Sequence, residues 1–200
     1  MAGRLRAVER LVHSVQGEAL LKVTSAQGTG ATSMLVAADE RGRFHLEVLD
    51  FFGRPISIVV SDGQALEWLD LQANILRKGP ANAATLARVF TVGVEPRDLS
   101  TLLLGRVPRL EEAVSTIRFD ADSGTYPVAL TSAGGASAAF ADFRLRDGVD
   151  WPHRLVLKVP SRGTQGDLTY RDVSLNVPLG ADLFTLDAPP NATVQGFDDP

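Results

Sequence analysis

The sequence predicts a mainly β protein with some helix, built as a half-open antiparallel β-barrel of about 11–12 strands. Many short segments of alternating hydrophobicity are separated by turn signals, of which Asp62-Gly63 is the strongest. Helical spacing of apolar residues is confined to the start and the middle of the chain. These two regions predict an N-terminal helix and a central helical pair that acts as a lid over an apolar cavity. The 200 residues suit one domain, so we expect a single domain over residues 1–200.

Apolar residues at helical spacing open the chain. Leu5, Val8 and Leu11 share one face, and arginine and glutamate residues fill the other. This pattern predicts an N-terminal helix over residues 1–16 that ends near Gly17.

Extended segments follow in two groups. The first meander spans residues 17–78 and the second spans residues 114–194. The predicted strands of the first meander are 18–25, 31–38, 43–50, 55–61, 64–70 and 73–78. Those of the second meander are 114–121, 125–132, 137–146, 153–160, 167–176 and 182–187.

Between the meanders, residues 82–105 predict two lid helices. Asn82 is suited to cap the first helix, Pro96 to begin the second and Gly105 to end it. The two helices carry apolar stripes that we expect to cover one face of the sheet and to bind the ligand: Leu86, Phe90, Leu99, Leu102 and Leu103.

Period-two alternation predicts which strand residues face this cavity. In ISIVVS, residues 56, 58 and 60 alternate with Ser57, Val59 and Ser61, and the first set is wholly apolar. The predicted concave, ligand-binding face therefore consists of Leu46, Val48, Ile56, Ile58, Val60, Leu66 and Trp68. The pattern leaves two alternatives open, because a barrel of about eight strands fills itself and a larger or half-open one leaves a cavity.

Composition and motifs argue against other classes of function. The net charge is −4 with both signs scattered, so no basic patch predicts a nucleic-acid partner. No apolar run approaches the ~20 residues of a transmembrane helix, and cysteine is absent. His13, His45 and His153 lack the spacing of metal ligands, and no catalytic motif is present. We expect no enzyme activity, no cofactor and no metal.

Three stretches resemble the LolA/LolB family of bacterial lipoprotein carriers. GRFHLEVLDFFGRPISIVVSDGQALEWLD is similar to the middle strands of LolB, and LARVFTVGVEPRDLSTLLLGRVP resembles its helical pair. DLTYRDVSLNVPLGADLFTLDAPPNATV resembles the end of LolA, which carries an Asn-x-Pro-x-x-x-x-x-Phe-x-x-x-x-Pro pattern. Together these stretches extend the resemblance from about residue 8 to residue 194.

The resemblance implies non-enzymatic binding of the acyl chains of lipoproteins or related lipids. The expected context is outer-membrane lipoprotein localisation or envelope lipid transfer, with a monomer in the periplasm or on the periplasmic side of the outer membrane. LolB is anchored by an acylated N-terminal cysteine that comes directly after its signal peptide. This sequence starts MAGRLRAVERL, and we expect it to lack both the signal peptide and the lipid anchor. The alternative is a scaffold or interaction module of a cell-envelope complex, with the same fold and a filled cavity.

The resemblance also bears on the loop over residues 50–55. LolB carries an outward leucine on the corresponding loop that helps to deliver acyl chains to the membrane, and Phe52 aligns with it. Phe51 and Phe52 are therefore expected to form a membrane-contacting tip, although both rings could instead fold inward and plug the barrel.

LolA has an arginine inside its barrel that interacts with the lid. The nearest candidate is Arg43, which could equally be a solvated residue beside the DERGR turn.

Overall fold

The computed structural model describes residues 2–90, 94–108, 116–117, 126–129 and 137–199. Side chains are described from residue 7 onward, except in the two short strands at 116–117 and 126–129. Three α-helices lie within these residues, and two 3₁₀ helices cover Pro160–Arg162 and Ala181–Phe184. The α-helices are α1 Ala2–Leu11, α2 Ala83–Val89 and α3 Pro96–Leu103.

The described strands form one open, curved sheet. They are β1 Ser14–Ser25, β2 Gly28–Asp39, β3 Phe44–Leu49, β4 Pro55–Ser61, β5 Ala65–Asp70, β6 Ile75–Pro80, β7 Thr116–Ile117, β8 Tyr126–Ala129, β9 Ser137–Arg146, β10 Val149–Val159, β11 Thr164–Leu175 and β12 Thr193–Gly196. Their order across the sheet is β12-β6-β5-β4-β3-β2-β1-β11-β10-β9-β8-β7. Neighbours pair antiparallel except β12 with β6, which pair parallel. The prediction of a mainly β, antiparallel-rich protein is confirmed.

Two predicted strands of the second meander lie largely outside the described residues. The segment predicted at 114–121 is described only at Thr116–Ile117, and the segment predicted at 125–132 only at Tyr126–Ala129. The two meanders meet at the middle of the sheet, where β1 pairs with β11 along most of its length.

The N-terminal helix ends at Leu11, earlier than the predicted end at residue 16. Asn176 explains the difference, because its side-chain amide donates to the Leu11 carbonyl at 2.7 Å and its amide oxygen accepts from the His13 N–H at 2.7 Å. These bonds satisfy backbone groups that the end of a helix leaves unpaired. The chain is therefore free to enter β1 at Ser14.

The predicted strand at 182–187 is wrong, since this segment begins with the 3₁₀ helix Ala181–Phe184. The segment crosses one face of the sheet and is held by side chains instead of a strand partner. Glu67 accepts from the Leu186 N–H at 2.6 Å, and the His45 ring contacts the Leu183 carbonyl at 2.7 Å. The chain then reaches the sheet edge and pairs there as β12, a strand that the sequence pattern did not predict.

The face of the sheet on which α2 and α3 pack, here called the inner face, differs from the prediction in one strand. Leu46 pairs with Val59, and Val59 pairs with Trp68, so all three share the inner face. Ile58 instead pairs with Glu47 on the opposite, outer face. The prediction is therefore wrong for three alternating residues of β4, which lie on the outer face: Ile56, Ile58 and Val60.

The C-terminal segment gives the physical reason for this error. It covers the outer face at β3 and β4, where Phe184 is buried and Val60 is fully buried. Both faces of β4 are therefore covered by protein, and both tolerate apolar residues. Period-two alternation separates the two sets of residues but does not say which set faces the cavity.

Helix α3 is fixed to both halves of the sheet by buried hydrogen bonds. The Ser100 hydroxyl donates to the Asp39 carbonyl at 2.8 Å. The Tyr170 hydroxyl donates to the Leu103 carbonyl at 3.1 Å, and the Trp151 indole donates to the Leu104 carbonyl at 2.9 Å. Because β2, β10 and β11 supply these partners, the end of α3 lies at a defined position on the inner face.

Candidate ligand-binding cavity

A cavity of about 300 Å³ lies between the inner face and the two central helices. Residues of β1, β2, β3, β10 and β11 line one side, and α2, α3 and the residues next to them line the other. The lining residues are Leu21, Val23, Met34, Leu46, Leu86, Val89, Phe90, Val94, Leu99, Leu103, Leu155, Leu157, Thr164, Gly166 and Leu168. None of these side chains is ionisable, so the part of the cavity wall that the structure describes attracts hydrocarbon by its apolar surface and offers no charge to a ligand.

Five of the twelve predicted ligand-binding residues line this cavity: Leu46, Leu86, Phe90, Leu99 and Leu103. Leu66 and Leu102 are buried in the adjoining core, and Val48 and Trp68 pack against that core while partly buried. The three β4 residues on the outer face are remote from it. The structure thus places the cavity nearer the middle of the sheet than the first meander alone indicated.

Most of the lining that the prediction missed comes from β1, β10 and β11. Leu21 pairs with Leu168, and Val23 pairs with Gly166, which brings residues more than 140 positions apart onto one wall. The alternation in LLKV indicates that Leu21 and Val23 share one face of β1, and the alternation in LVLKV indicates the same for Leu155 and Leu157 of β10. No local signal, however, indicates that β1 and β11 are neighbours.

The cavity extends from the buried core to a partly exposed rim. Met34, Leu46 and Leu86 are buried, whereas Val23 and Phe90 are only half-buried. A ligand chain can therefore enter from the rim and lose contact with water as it goes deeper. Burial of hydrocarbon in such a cavity is favourable without any directional contact.

The turn between β3 and β4 projects two aromatic rings into solvent. The Asp50 carboxylate accepts from the N–H groups of Phe52 at 2.8 Å and Arg54 at 2.9 Å. These hydrogen bonds, of which the one from Arg54 has the largest effect, hold the pKa of Asp50 below its usual range. Gly53 supplies the positive φ of +78° that the turn requires. Phe51 is 96% exposed and Phe52 is 77% exposed, so the alternative in which the rings plug the barrel is wrong.

Arg43 occupies neither of the positions considered from the sequence. Its guanidinium donates to the Asp39 carboxylate at 2.9 and 2.6 Å, and it lies 4.2 Å from the centre of the Phe184 ring. The side chain is only 14% exposed, so it is not solvated, and it does not line the cavity. Arg43 instead joins the end of β2 to the C-terminal segment on the outer face.

Two further properties concern only the part of the chain that the structure describes. Within it, no group of three or more His, Asp or Glu residues is arranged to hold a metal ion. Likewise, none of its helices is both long and apolar enough to cross a membrane.

The open curved sheet, with helices and a cavity on its inner face, is a LolA/LolB-type fold. No protein-family model and no curated protein matches the sequence. A LolA superfamily protein from Nitrosomonas europaea is similar in structure, with a TM-score of 0.58 and 11% identity over 92% of this chain and 97% of that one. A Vibrio parahaemolyticus domain provisionally named for outer membrane lipoprotein sorting has a TM-score of 0.57 and 12% identity over 92% of this chain and 94% of that one. A DUF1329 family protein from Desulfovibrio piger has a TM-score of 0.53 and 13% identity, over the same shares.

Proposed function

We propose that the protein is a non-enzymatic carrier that binds acyl chains of lipoproteins or related lipids in its cavity. The observation that carries the proposal is the lining, which is almost entirely aliphatic and aromatic and continues to a partly exposed rim. In this proposal the chain forms a single half-open barrel, and the region over residues 82–105 is its lid. The similar fold of LolA superfamily proteins supports the assignment.

The energetics of this site suit a reversible carrier. Complete burial of a sixteen-carbon chain stabilises the complex by about 13 kcal/mol, at about 0.8 kcal/mol per methylene. Association costs at least about 4 kcal/mol in lost motion. The remainder of at most about 9 kcal/mol corresponds to a dissociation constant of about 0.3 μM or weaker. Such a ligand binds and leaves without any covalent step.

We further propose a role in outer-membrane lipoprotein localisation or envelope lipid transfer, by a monomer on the periplasmic side of the outer membrane or in the periplasm. The Vibrio parahaemolyticus domain, provisionally named for lipoprotein sorting, supports this context through the shared fold. Phe51 and Phe52 are proposed to contact the membrane surface, because exposed aromatic rings partition into the headgroup region.

The scaffold alternative requires a cavity filled by the protein's own side chains. The space of about 300 Å³ on the inner face counts against it. Native mass spectrometry of the purified protein tests the proposal, since a carrier is expected to retain copurified lipid. Delipidated protein should also bind an environment-sensitive hydrophobic dye that palmitate displaces. Folded protein that binds neither dye nor palmitate would support the scaffold instead.

A further inference from the structure

We propose that the turn between β5 and β6, residues 71–74, is a second membrane contact beside the turn of Phe51 and Phe52. We also propose that the cavity opens at the same end of the sheet, so that an acyl chain passes between the cavity and a bilayer where the two turns touch it. The inference rests on the proposed function and deepens it, because it assigns the surface that faces the bilayer and the direction of ligand passage.

The register of the sheet brings the two turns side by side. Val48 pairs with Ser57, and Ser57 pairs with Asp70, so β3, β4 and β5 end at nearly the same level. Neighbouring strands lie about 4.8 Å apart. The turns at residues 50–54 and 71–74 therefore project next to each other from one end of the sheet, here called the tip end.

Both turns expose apolar side chains and carry no unpaired charge. Phe51 is 96% exposed, Phe52 is 77% exposed and Leu71 is 37% exposed. The ionisable side chains of these two turns are Asp50 and Arg54, which pair with each other at 2.7 Å. Contact with lipid at this surface therefore desolvates no isolated charge.

The opposite end of the sheet has a different surface. Each of its described turns, at residues 40–43, 62–64 and 147–148, carries at least one charged residue. Leu145 is also exposed there, but it lies between Arg144 and Arg146 in the sequence. Exposed apolar side chains thus lie together only at the tip end, among the turns that the structure describes.

The inner face is buried near the opposite end and becomes exposed towards the tip end. In β1, Val15 and Ala19 are 0% exposed, whereas the lining residue Val23 is half-buried. In β2, Met34 is buried and Gly30, which pairs with Val23, is exposed. A Cβ added to Gly30 would meet no atom of the described residues within 4 Å. The ends of β1 and β2 therefore leave space for a chain at the tip end.

Helix α3 packs across the opposite end. The Ser100 hydroxyl donates to the carbonyl of Asp39, the last residue of β2. The indole of Trp151, near the start of β10, donates to the Leu104 carbonyl. Both donors are buried, and an unpaired buried donor is costly, so these bonds oppose opening at this end. Passage at the tip end breaks neither bond.

The first test measures binding to phosphatidylcholine vesicles. Leu71→Asn is expected to weaken the binding about fivefold, because it removes an inserting leucine. Leu145→Asn is the matched control at the opposite end and should bind as the wild type does. Gln72→Leu adds an apolar side chain to the same turn and should strengthen the binding. Wild-type binding by both variants of the turn, or an equal loss in Leu145→Asn, would overturn the second contact.

The second test follows the transfer of a fluorescent palmitate from the protein to the same vesicles. Passage at a contact predicts a transfer rate that rises with vesicle concentration. Leu71→Asn should slow this transfer while its affinity for palmitate in solution stays that of the wild type. A rate independent of vesicle concentration would show that the ligand crosses water, and it would overturn the passage while leaving the carrier function intact. If folded protein does not bind palmitate at all, the proposed function itself fails, and the passage fails with it.

Discussion

Replacing Gly166 with leucine is expected to fill part of the cavity without disturbing the sheet. Gly166 lies on the inner face of β11, opposite Val23 in β1 and Leu157 in β10. A Cβ at this position would meet only the Leu21 side chain, at an ordinary contact distance of 3.9 Å. Its φ is not in the left-handed region, so a leucine needs no backbone change.

The magnitude follows from volume. The four side-chain carbons of leucine take up about 120 Å³, at about 30 Å³ each. That displaces about four methylenes of the ligand, or about 3 kcal/mol at about 0.8 kcal/mol each. The affinity for palmitate in Gly166→Leu should fall about 100-fold. The folded protein should be as stable as the wild type or up to about 1 kcal/mol more stable, because glycine weakens a strand.

The assay is displacement of a hydrophobic dye by palmitate, paired with a thermal melt. Gln165→Leu is the matched control, since it places the same side chain on the opposite face of the same strand, opposite Lys158 in β10. The control is expected to bind palmitate as the wild type does. Unchanged palmitate affinity in Gly166→Leu, with the melt preserved, would refute the cavity as the binding site.

Three other substitutions test the tip, the outer face and a buried histidine. Phe52→Asp should change the free energy of unfolding by less than about 0.5 kcal/mol and reduce liposome binding. Phe52→Leu is the control, which should keep the wild-type stability and the wild-type liposome binding. Arg43→Met should cost about 3 kcal/mol in urea unfolding by leaving the Asp39 carboxylate buried without its partner, and adding Asp39→Asn should recover part of the loss. Burial lowers the pKa of His153, so below about pH 6.5 the unfolded chain binds more protons than the folded one and stability should fall. His153→Gln should lose less stability than the wild type between pH 8 and pH 5, and equal losses would contradict this account.

Local chemistry in the sequence was sufficient to place the central helices. The Asn82 side chain accepts from the Thr85 N–H at 2.8 Å and caps α2, and Pro96 begins α3. Gly105 follows the end of α3, as predicted, and has a positive φ of +73°. Each of these residues acts within one helical turn of its own position, so its effect can be read without knowing the rest of the fold.

The end of α1 was not predictable in the same way. The apolar spacing continues through Val12 and Val15, which are buried whether they belong to a helix or to a strand. The end is decided by Asn176, which lies far along the chain and bonds to the Leu11 carbonyl. A side chain that acts across such a separation leaves no mark in the local pattern.

The cavity combines these two cases. Its helical wall can be predicted from local sequence, whereas its sheet wall depends on pairing between distant parts of the chain. The Leu86, Phe90, Leu99 and Leu103 positions follow from helical spacing within residues 82–105. The sheet wall depends on the pairing of β1 with β11, which joins the two ends of the chain. Alternation gives two candidate faces for each strand, and a one-residue error exchanges them. In β4 the choice was decided by the C-terminal segment, whose burial of Phe184 made the outer face as apolar as the inner one. A strand that is covered on both sides therefore carries no pattern that separates a ligand-binding face from a structural one.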